Sequence, residues 1–368
     1  MGRVAILVSA KIDYQAEKAS RTDGSPRRDY FELARALDAT IINHEQMVSK
    51  MWKGKSKTAL GPAMAQAWYA FKRRHEYDCI ISDSEHVGIP LAMLFKMAGV
   101  RKGHVMIGHR LSPRKKAIFF RTLGVHSHID KVVCYSSRQQ NHAVSLLRIP
   151  SDKVELVLHP ADHLFWRPLQ VSPERLISSA GLEFRDYPTL IKAIEGIDVN
   201  LTIAAASPWS RRPDETKNRE LPPNVTVASH TYAELRQLHA RALFVVVPLH
   251  DVEFQAGSLV MYEAMAMGKA VIASKTVGQG DILEDNVTGL YVPPGDPGAL
   301  RRAICRLLEH PQENEEMGRN ARRVVEMGMN LDTYVANMVR IVTQVSESPI
   351  EGKRGAYVST ANSGIRYN

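Results

Sequence analysis

The sequence predicts an α/β chain built from two doubly wound parallel-sheet domains, and three observations carry that prediction. Short apolar runs rich in β-branched residues and free of charge recur along the chain, as strands buried on both faces of a sheet do. Polar segments with helical spacing separate them, so strands alternate with helices. The pattern restarts after a proline-punctuated stretch, His159 to Pro173, in a chain of 368 residues that is too long for one typical core.

In the first half, Arg3 to Ser9 reads as the first strand. The polar segment Lys11 to Arg28 exceeds an ordinary connection and is expected to be a functional or mobile loop. Ser25 and Pro26 start a helix through Leu37, and Ala39 to Ile42 is the next strand. A basic loop, Lys50 to Lys57, precedes a helix to about His75. Cys79 to Asp83 is a strand ending in Ser82, Asp83, Ser84, Glu85 and His86, a polar cluster of the kind that meets ligands beyond strand C-termini. His104 to Ile107 is a strand ending at Gly108, His109 and Arg110. The helix around Arg114, Lys115 and Lys116 mixes these cations with Phe119 and Phe120, a pattern open to a membrane surface as well as to covering a sheet. Lys131 to Ser136 closes this half.

In the second half, Leu176 to Ser179, Val199 to Ala205 and Asn224 to Val227 are strands, with helices from Pro188 to about Glu195 and from Tyr232 to Arg241. Ser207 to Trp209 follows one of these strands. Ala242 to Val247 is a buried strand that stops at Pro248. A loop ending in Ala256 and Gly257 leads to a helix from Ser258 to Met267, and Ala270 to Ser274 completes a βαβ unit. The first N–H groups of that helix lack intrahelical partners and carry partial positive charge, so a phosphate can sit there, and glycine at 257 lets it approach the backbone. Glu263 stands where an acidic side chain can reach vicinal hydroxyls. An ordinary buried βαβ unit with a solvated Glu263 fits the same residues. Leu290 to Val292, a helix to Leu308 and a last helix from Asn330 to Ser346 follow, and the tail is expected to be loose.

Composition narrows the classes. Apolar content of 44% and charged content of 24% are ordinary for a soluble chain, and no apolar run is long enough for a membrane-spanning helix. The first residues read as a strand and not as a signal peptide. Three scattered cysteines argue for a reducing, cytoplasmic setting and against a disulfide or metal framework. Residues 1–170 hold 27 Lys and Arg against 15 Asp and Glu, while the remainder is net negative, so the first half favours an anionic partner.

The run from Gln255 to about Arg323, with EAMAMGKAVIAS, the Gly280 to Glu284 turn, NVTGLYVPPGDPGAL and MGRNAR, resembles the C-terminal half of the family 4 retaining glycosyltransferases. The resemblance implies the GT-B fold, two Rossmann-like domains facing across a cleft. Residues 1–165 would be the acceptor-side domain and 166–330 the nucleotide-sugar domain. Residues 331–346 would form a helix open to packing back on the first domain, and 347–368 a tail. It gives Glu263 the donor ribose and the backbone of Gly257, Ser258, Leu259 and Val260 the distal phosphate. An acidic residue of the family stands eight positions before this Glu, and here the place holds Gln255, with Glu253 or Asp251 able to supply a carboxylate from the same loop. Arg185 falls at the position of a family Lys facing the diphosphate, whereas Leu182 occupies that of a second cation. His109 falls near the donor sugar. Arg27, Arg28, Asp83 and Glu85 are candidate acceptor contacts, each more simply readable as a solvated loop residue.

The implied reaction is metal-independent, retaining transfer of a sugar from a nucleotide diphosphate to a hydroxyl acceptor, anionic acceptors included. No cofactor is expected, nucleic acid is not an expected partner, and peripheral contact with the inner face of a membrane is compatible with the basic half. The alternatives are a nucleotide-sugar epimerase of the same fold and a non-catalytic, basic anion-binding or nucleic-acid-binding protein. A nicotinamide-dependent oxidoreductase would want glycines after the first strand, and Val8 to Asp13 has none.

Overall fold

The computed structural model describes residues 2–43, 60–205 and 221–347. The Lys50 to Lys57 loop, the Ser207 to Trp209 segment and the tail beyond Glu347 lie outside the described residues. Twelve strands among the described residues form two sheets of six, and every pairing is parallel. The first sheet uses β1 (Val4–Val8), β2 (Thr40–Asn43), β3 (Cys79–Ser82), β4 (Gly103–Gly108), β5 (Lys131–Cys134) and β6 (Val154–Leu156), in the order β2-β1-β3-β4-β5-β6. The second uses β7 (Leu176–Ala180), β8 (Asn200–Ala204), β9 (Val225–Ala228), β10 (Phe244–Val247), β11 (Val271–Ser274) and β12 (Gly289–Val292), in the order β12-β11-β10-β7-β8-β9.

These orders place a topological switch between β1 and β3 in one sheet and between β7 and β10 in the other. Helices after strands on either side of a switch leave on opposite faces, which opens a crevice beyond the strand ends. β1, β3, β7, β10 and β11 are buried along their whole length, which is why they stand out as uncharged runs.

Several elements depart from the sequence reading. The Lys11 to Arg28 segment is not one loop: a helix, Tyr14–Ser20, forms inside it because the Asp13 carboxylate caps its first turn, accepting from the N–H groups of Gln15 and Ala16 at 3.0 and 2.9 Å. The next helix runs Asp29–Leu37, starting after Arg28 instead of at Ser25. The helix Glu85–Met97 was hidden by Pro90 in its interior. The helices Ser137–Ser145 and Pro311–Met327 and the three-residue strand β6 also went unread.

The chain crosses between domains twice, and the crossings are tied together. Ala161 and Asn330 form an isolated parallel bridge, and the Asn330 side chain caps the last helix, Leu331–Glu347, by accepting from Thr333 N–H at 2.9 Å. Arg322 donates through one Nη to the carbonyls of His163, Trp166 and Ala266. The last helix then returns to the first domain. Tyr334, Met338, Ile341 and Val342 pack in one core with Val4, Ile6, Leu33 and Leu37.

Because Met338 is fully buried in that core, Met338→Ala is expected to destabilise the protein by about 2–4 kcal/mol. Denaturant unfolding followed by tryptophan fluorescence checks this; a change within the error of the measurement would mean the helix contributes little to the first domain.

Candidate active site

The site grows from the switch point of the second sheet. After β7 the chain turns at Gly181, whose φ of +91° is left-handed, and after β10 it turns at Pro248. The two loops are stitched together: Arg185 and Leu249 bridge in antiparallel fashion, Asp186 N–H donates to Pro248 C=O at 3.1 Å, and His250 N–H donates to Phe184 C=O at 3.1 Å. The β10 loop ends at Gly257, which caps the helix Ser258–Ala266 with φ +73°. The first intrahelical bond runs from Met261 N–H to Gly257 C=O, so the N–H groups of Ser258, Leu259 and Val260 precede the ladder.

Arg185 is only 5% exposed. Its Nε donates to Ala180 C=O at 2.8 Å and Nη1 to Glu183 C=O at 2.9 Å, and no carboxylate among the described residues lies within ion-pair distance. Burial pulls its pKa down, opposed by Tyr187, Glu263 and Glu183. Asp186, the nearest acidic residue in sequence, is occupied as the cap of the following helix, accepting from Thr189 N–H at 3.1 Å and Oγ1 at 2.7 Å. A Cβ built on Gly257 would stand 3.3 Å from Arg185 Nη1 and 2.9 Å from Val247 Cγ1. The guanidinium therefore lies against the N-terminus of the helix, and glycine is the residue that leaves room for it.

Glu263, about a turn and a half along that helix, is 4% exposed and borders a cavity of about 450 Å³ between the domains. Burial raises its pKa to about 8, against the pull of Arg28 and Arg185. Arg28 comes from the first domain and crosses the cleft. Its guanidinium lies 4.9 Å from the Tyr232 ring centroid and Nη2 donates to the Tyr232 hydroxyl at 3.0 Å. The same cavity is bordered by Ser9 and Asp83, at the switch of the first sheet. The Asp83 Oδ2 accepts from Ser9 N–H at 2.9 Å, whereas its Oδ1 is buried without a partner. Burial raises the Asp83 pKa to about 6, with Ser9 and His109 opposing.

A second cavity, of about 630 Å³, lies between the β4 and β10 loops. Gln255, Glu253 and Ser258 line it from one domain, His109, Arg110 and Arg114 from the other. Gln255 Nε2 is buried with no partner, while Glu253 is exposed at the rim. His109 is exposed but held: its Nε2 lies 2.6 Å from Asp83 C=O and its backbone N–H donates to Glu85 Oε2 at 2.9 Å. An Nε2–H donor to that carbonyl leaves Nδ1 as the ring's acceptor.

Two of the expected acceptor contacts are otherwise engaged. Arg27 is bound to Asp162 through its backbone N–H at 2.8 Å, Nε at 3.0 Å and Nη2 at 2.8 Å, and to Asp332 through Nη1 at 3.0 Å. It ties the first domain to both crossings, so its donors are occupied. Glu85 is buried against Lys116 Nζ at 2.5 Å and His109 N–H. Burial favours its neutral form, but Lys116 outweighs that and its pKa is lowered. It positions His109 and does not face the cavities.

The structure also brings in residues that the sequence reading passed over. The rings of His109 and Tyr135 lie 5.3 Å apart, Tyr135 and His159 5.0 Å, and His159 and Tyr262 6.4 Å in near-parallel stacking, a row that leads from one domain to the other. His159 borders both cavities, and its buried Nδ1 has no partner. Its position at the start of a proline-rich connection masked it. Among the described residues no group of three or more His, Cys, Asp or Glu side chains is arranged to hold a metal, and no helix is long and apolar enough to cross a membrane.

Comparison with known proteins places this geometry. Residues 171–324 match the family model "Glycosyl transferases group 1". The chain is 31% identical over 141 residues to D-rhamnosyltransferase WbpZ of Pseudomonas aeruginosa, covering 38% of this chain and 34% of that protein. It is 29% identical over 161 residues to the alpha-D-kanosaminyltransferase of Streptomyces kanamyceticus, covering 42% and 40%. The matches thus span well under half the length of these curated relatives. Among solved structures, a glycosyltransferase from Rickettsia africae superposes with a TM-score of 0.70 at 15% identity, over 94% of this chain and 99% of that one. Anabaena Alr3699/HepE in complex with UDP-glucose does so at 0.68 and 15%, over 94% and 100%. At such identity the likeness shows the fold, and the fold is GT-B.

Gly257→Ala forces a left-handed Cβ into Val247 and toward Arg185, so it is expected to destabilise the protein by about 1–3 kcal/mol. A thermal melt in which the variant matched the parent would contradict the close packing of this turn. Glu263 also predicts a pH dependence. A carboxyl raised from 4.5 to about 8 on folding keeps its proton in the native state while the unfolded chain has lost it. Stability contributed by this group therefore falls as pH rises from about 4.5 to about 8, then levels off. The melting temperature of the parent relative to Glu263→Gln is expected to decline across that window; a constant difference would show that Glu263 is ionised throughout.

Proposed function

We propose that this chain, whose second domain matches the glycosyl transferases group 1 family, moves a sugar from a nucleotide diphosphate to a hydroxyl acceptor with retention of configuration and without a metal. The observation that carries the reading is the buried Arg185 guanidinium set against the open N-terminus of the Ser258–Ala266 helix, with Glu263 on the same helix facing the cleft. A cation without a carboxylate partner and a row of N–H groups without acceptors, both among the described residues, form a preorganised receptor for a leaving diphosphate. Glu263 lies at hydroxyl-binding reach for the ribose, and its raised pKa makes it a donor as well as an acceptor there.

In this reading the bond between the anomeric carbon and the phosphate oxygen breaks as the diphosphate takes up charge, which Arg185 and the helix N–H groups stabilise. The acceptor oxygen forms its bond to the anomeric carbon on the same face, and its proton passes to the departing phosphate oxygen. No enzyme nucleophile is needed. Gln255 supplies amide hydrogen bonds to the sugar in place of the family's carboxylate, and His109, pinned by Asp83 and Glu85, presents Nδ1 to the reacting groups. Asp83 Oδ1, buried and unpartnered at the first switch point, orients an acceptor hydroxyl. The Anabaena structure holds UDP-glucose, which makes uridine diphosphate sugars the first donors to test.

A panel of nucleoside diphosphates and their sugars is expected to raise the melting temperature, since a ligand that binds only the native state at about 100 times its Kd adds about 2.7 kcal/mol. Arg185→Ala is expected to lower kcat about 100-fold or more, and Glu263→Ala to raise the donor KM. Gln255→Ala is expected to impair transfer more than Glu253→Ala; the reverse order would move the sugar contact to Glu253. Product of inverted anomeric configuration by proton NMR, or activity abolished by a chelator, would overturn the corresponding part of the reading.

A further inference from the structure

Beside the mouth of the larger cavity the chain carries a segment whose two faces differ sharply. Arg114–Ala117 is a short helix that runs into a π-helical turn, Ile118–Thr122. Its inner face is fixed: Phe120 is fully buried, and Lys116 donates to Glu85 Oε1 at 2.5 Å and to Arg110 C=O at 2.6 Å. Its outer face leaves Ile118 56%, Phe119 37% and Leu123 38% exposed. Arg114, Lys115 and Arg121 are exposed between and around them, and none has a carboxylate within ion-pair distance among the described residues. A helical register that hides one aromatic ring and turns the next outward, among cations, is not required for covering the sheet, because Phe120 already does that.

We propose that this outer face docks on an anionic lipid surface, with Ile118, Phe119 and Leu123 entering the headgroup boundary while Lys115 and Arg121 meet the phosphates. The occupant follows from charge and chemistry. The first 170 residues carry 27 basic against 15 acidic side chains, which attracts a negatively charged surface. Apolar side chains projecting singly from a convex turn fit the disordered boundary of a bilayer. Arg114 belongs both to this segment and to the lining of the cavity that holds Gln255 and His109, and the exposed Leu146 lines the same cavity. Docking therefore brings the cleft mouth to the bilayer. Resting on the transferase reading, this deepens it: the acceptor class is a hydroxyl carried on an anionic lipid, which can enter the cleft from the surface without leaving it.

The test uses the full chain without donor or acceptor, so that its result does not depend on the transferase reading. Sedimentation with sucrose-loaded vesicles of phosphatidylcholine is compared with vesicles in which about a third of the lipid is phosphatidylglycerol. Binding to the anionic vesicles only is expected. Each cation near such a surface contributes roughly a fivefold increase in partitioning, so Lys115→Glu with Arg121→Glu is expected to weaken binding at least about 20-fold. Ile118→Asp with Phe119→Asp is expected to abolish it. These positions are exposed, and unchanged melting temperatures and far-ultraviolet circular dichroism establish that the variants are folded. Equal binding to both vesicle types, no binding to either, or anionic binding that survives both double substitutions would overturn the proposal. Vesicle binding without any response to nucleotides would overturn the transferase reading and leave the docking surface standing.

Discussion

The constraint on which the site depends is a buried cation with no carboxylate of the described residues within ion-pair distance. Removing a guanidinium from water costs several kcal/mol unless its donors are satisfied and an opposite charge is near. Arg185 has two carbonyl acceptors, and the acidic groups that act on it, Glu263 and Glu183, do so without an ion-pair contact among the described residues. The surrounding geometry follows from holding it there. A Cβ at residue 181 would stand 2.7 Å from Arg185 Nη2, and one at 257 would stand 3.3 Å from Nη1, so glycine occupies both turns. The Tyr187 hydroxyl donates to Gly181 C=O, Asp186 turns away to cap the next helix, and the backbones of the β7 and β10 loops are bonded to each other.

The first domain repeats the plan with the opposite charge. At its switch point Ser9 N–H holds one oxygen of Asp83 and leaves the other buried and unpartnered. Asp83 C=O fixes the His109 ring, and Glu85 fixes the His109 backbone while itself fixed by Lys116. One crevice thus offers a cation and free N–H groups, the other a carboxylate and a ring nitrogen. The two crevices differ in charge, the donor-rich one in the second domain and the acceptor-rich one in the first.

Much of this was legible in the sequence, and the parts that were not share a physical cause. Strands buried on both faces announce themselves as uncharged runs, so β1, β3, β10 and β11 were found within a residue or two. The short β6 has no such run. Glu85–Met97 was obscured by an interior proline, and Tyr14–Ser20 by its polar composition. The candidate site was legible where it is built from backbone: Gly257 and the helix after it can be read because a left-handed turn there favours glycine. It was illegible where function lies in partnership. Nothing local distinguishes Arg27, consumed by Asp162 135 positions away, from Arg28, which crosses the cleft to Tyr232. His159 could not be recognised from a proline-rich connection, because its neighbours Tyr135 and Tyr262 are distant in sequence and meet it only in the fold.

The contacts that join the domains divide into two kinds, and the division bears on how the cleft works. At the crossings they are multiple and mutually reinforcing: Arg27 with Asp162, Arg322 with three carbonyls, Arg236 with Asp23, and the last helix within an apolar core. Asp23 is held well below the ordinary carboxylate range by Arg167 and Arg236 together. At the cleft they are single and polar or cation–aromatic: Arg28 on Tyr232, Arg110 over Phe254 at 4.5 Å, and Ser137 N–H to Asp281 at 3.0 Å. Contacts of the second kind contribute about 0.5–2 kcal/mol each and are readily exchanged for water or ligand. Arg28 is the clearest case, because it faces both Tyr232 and the carboxyl of Glu263. Anything that changes the protonation of Glu263 therefore changes the field at this cross-cleft contact.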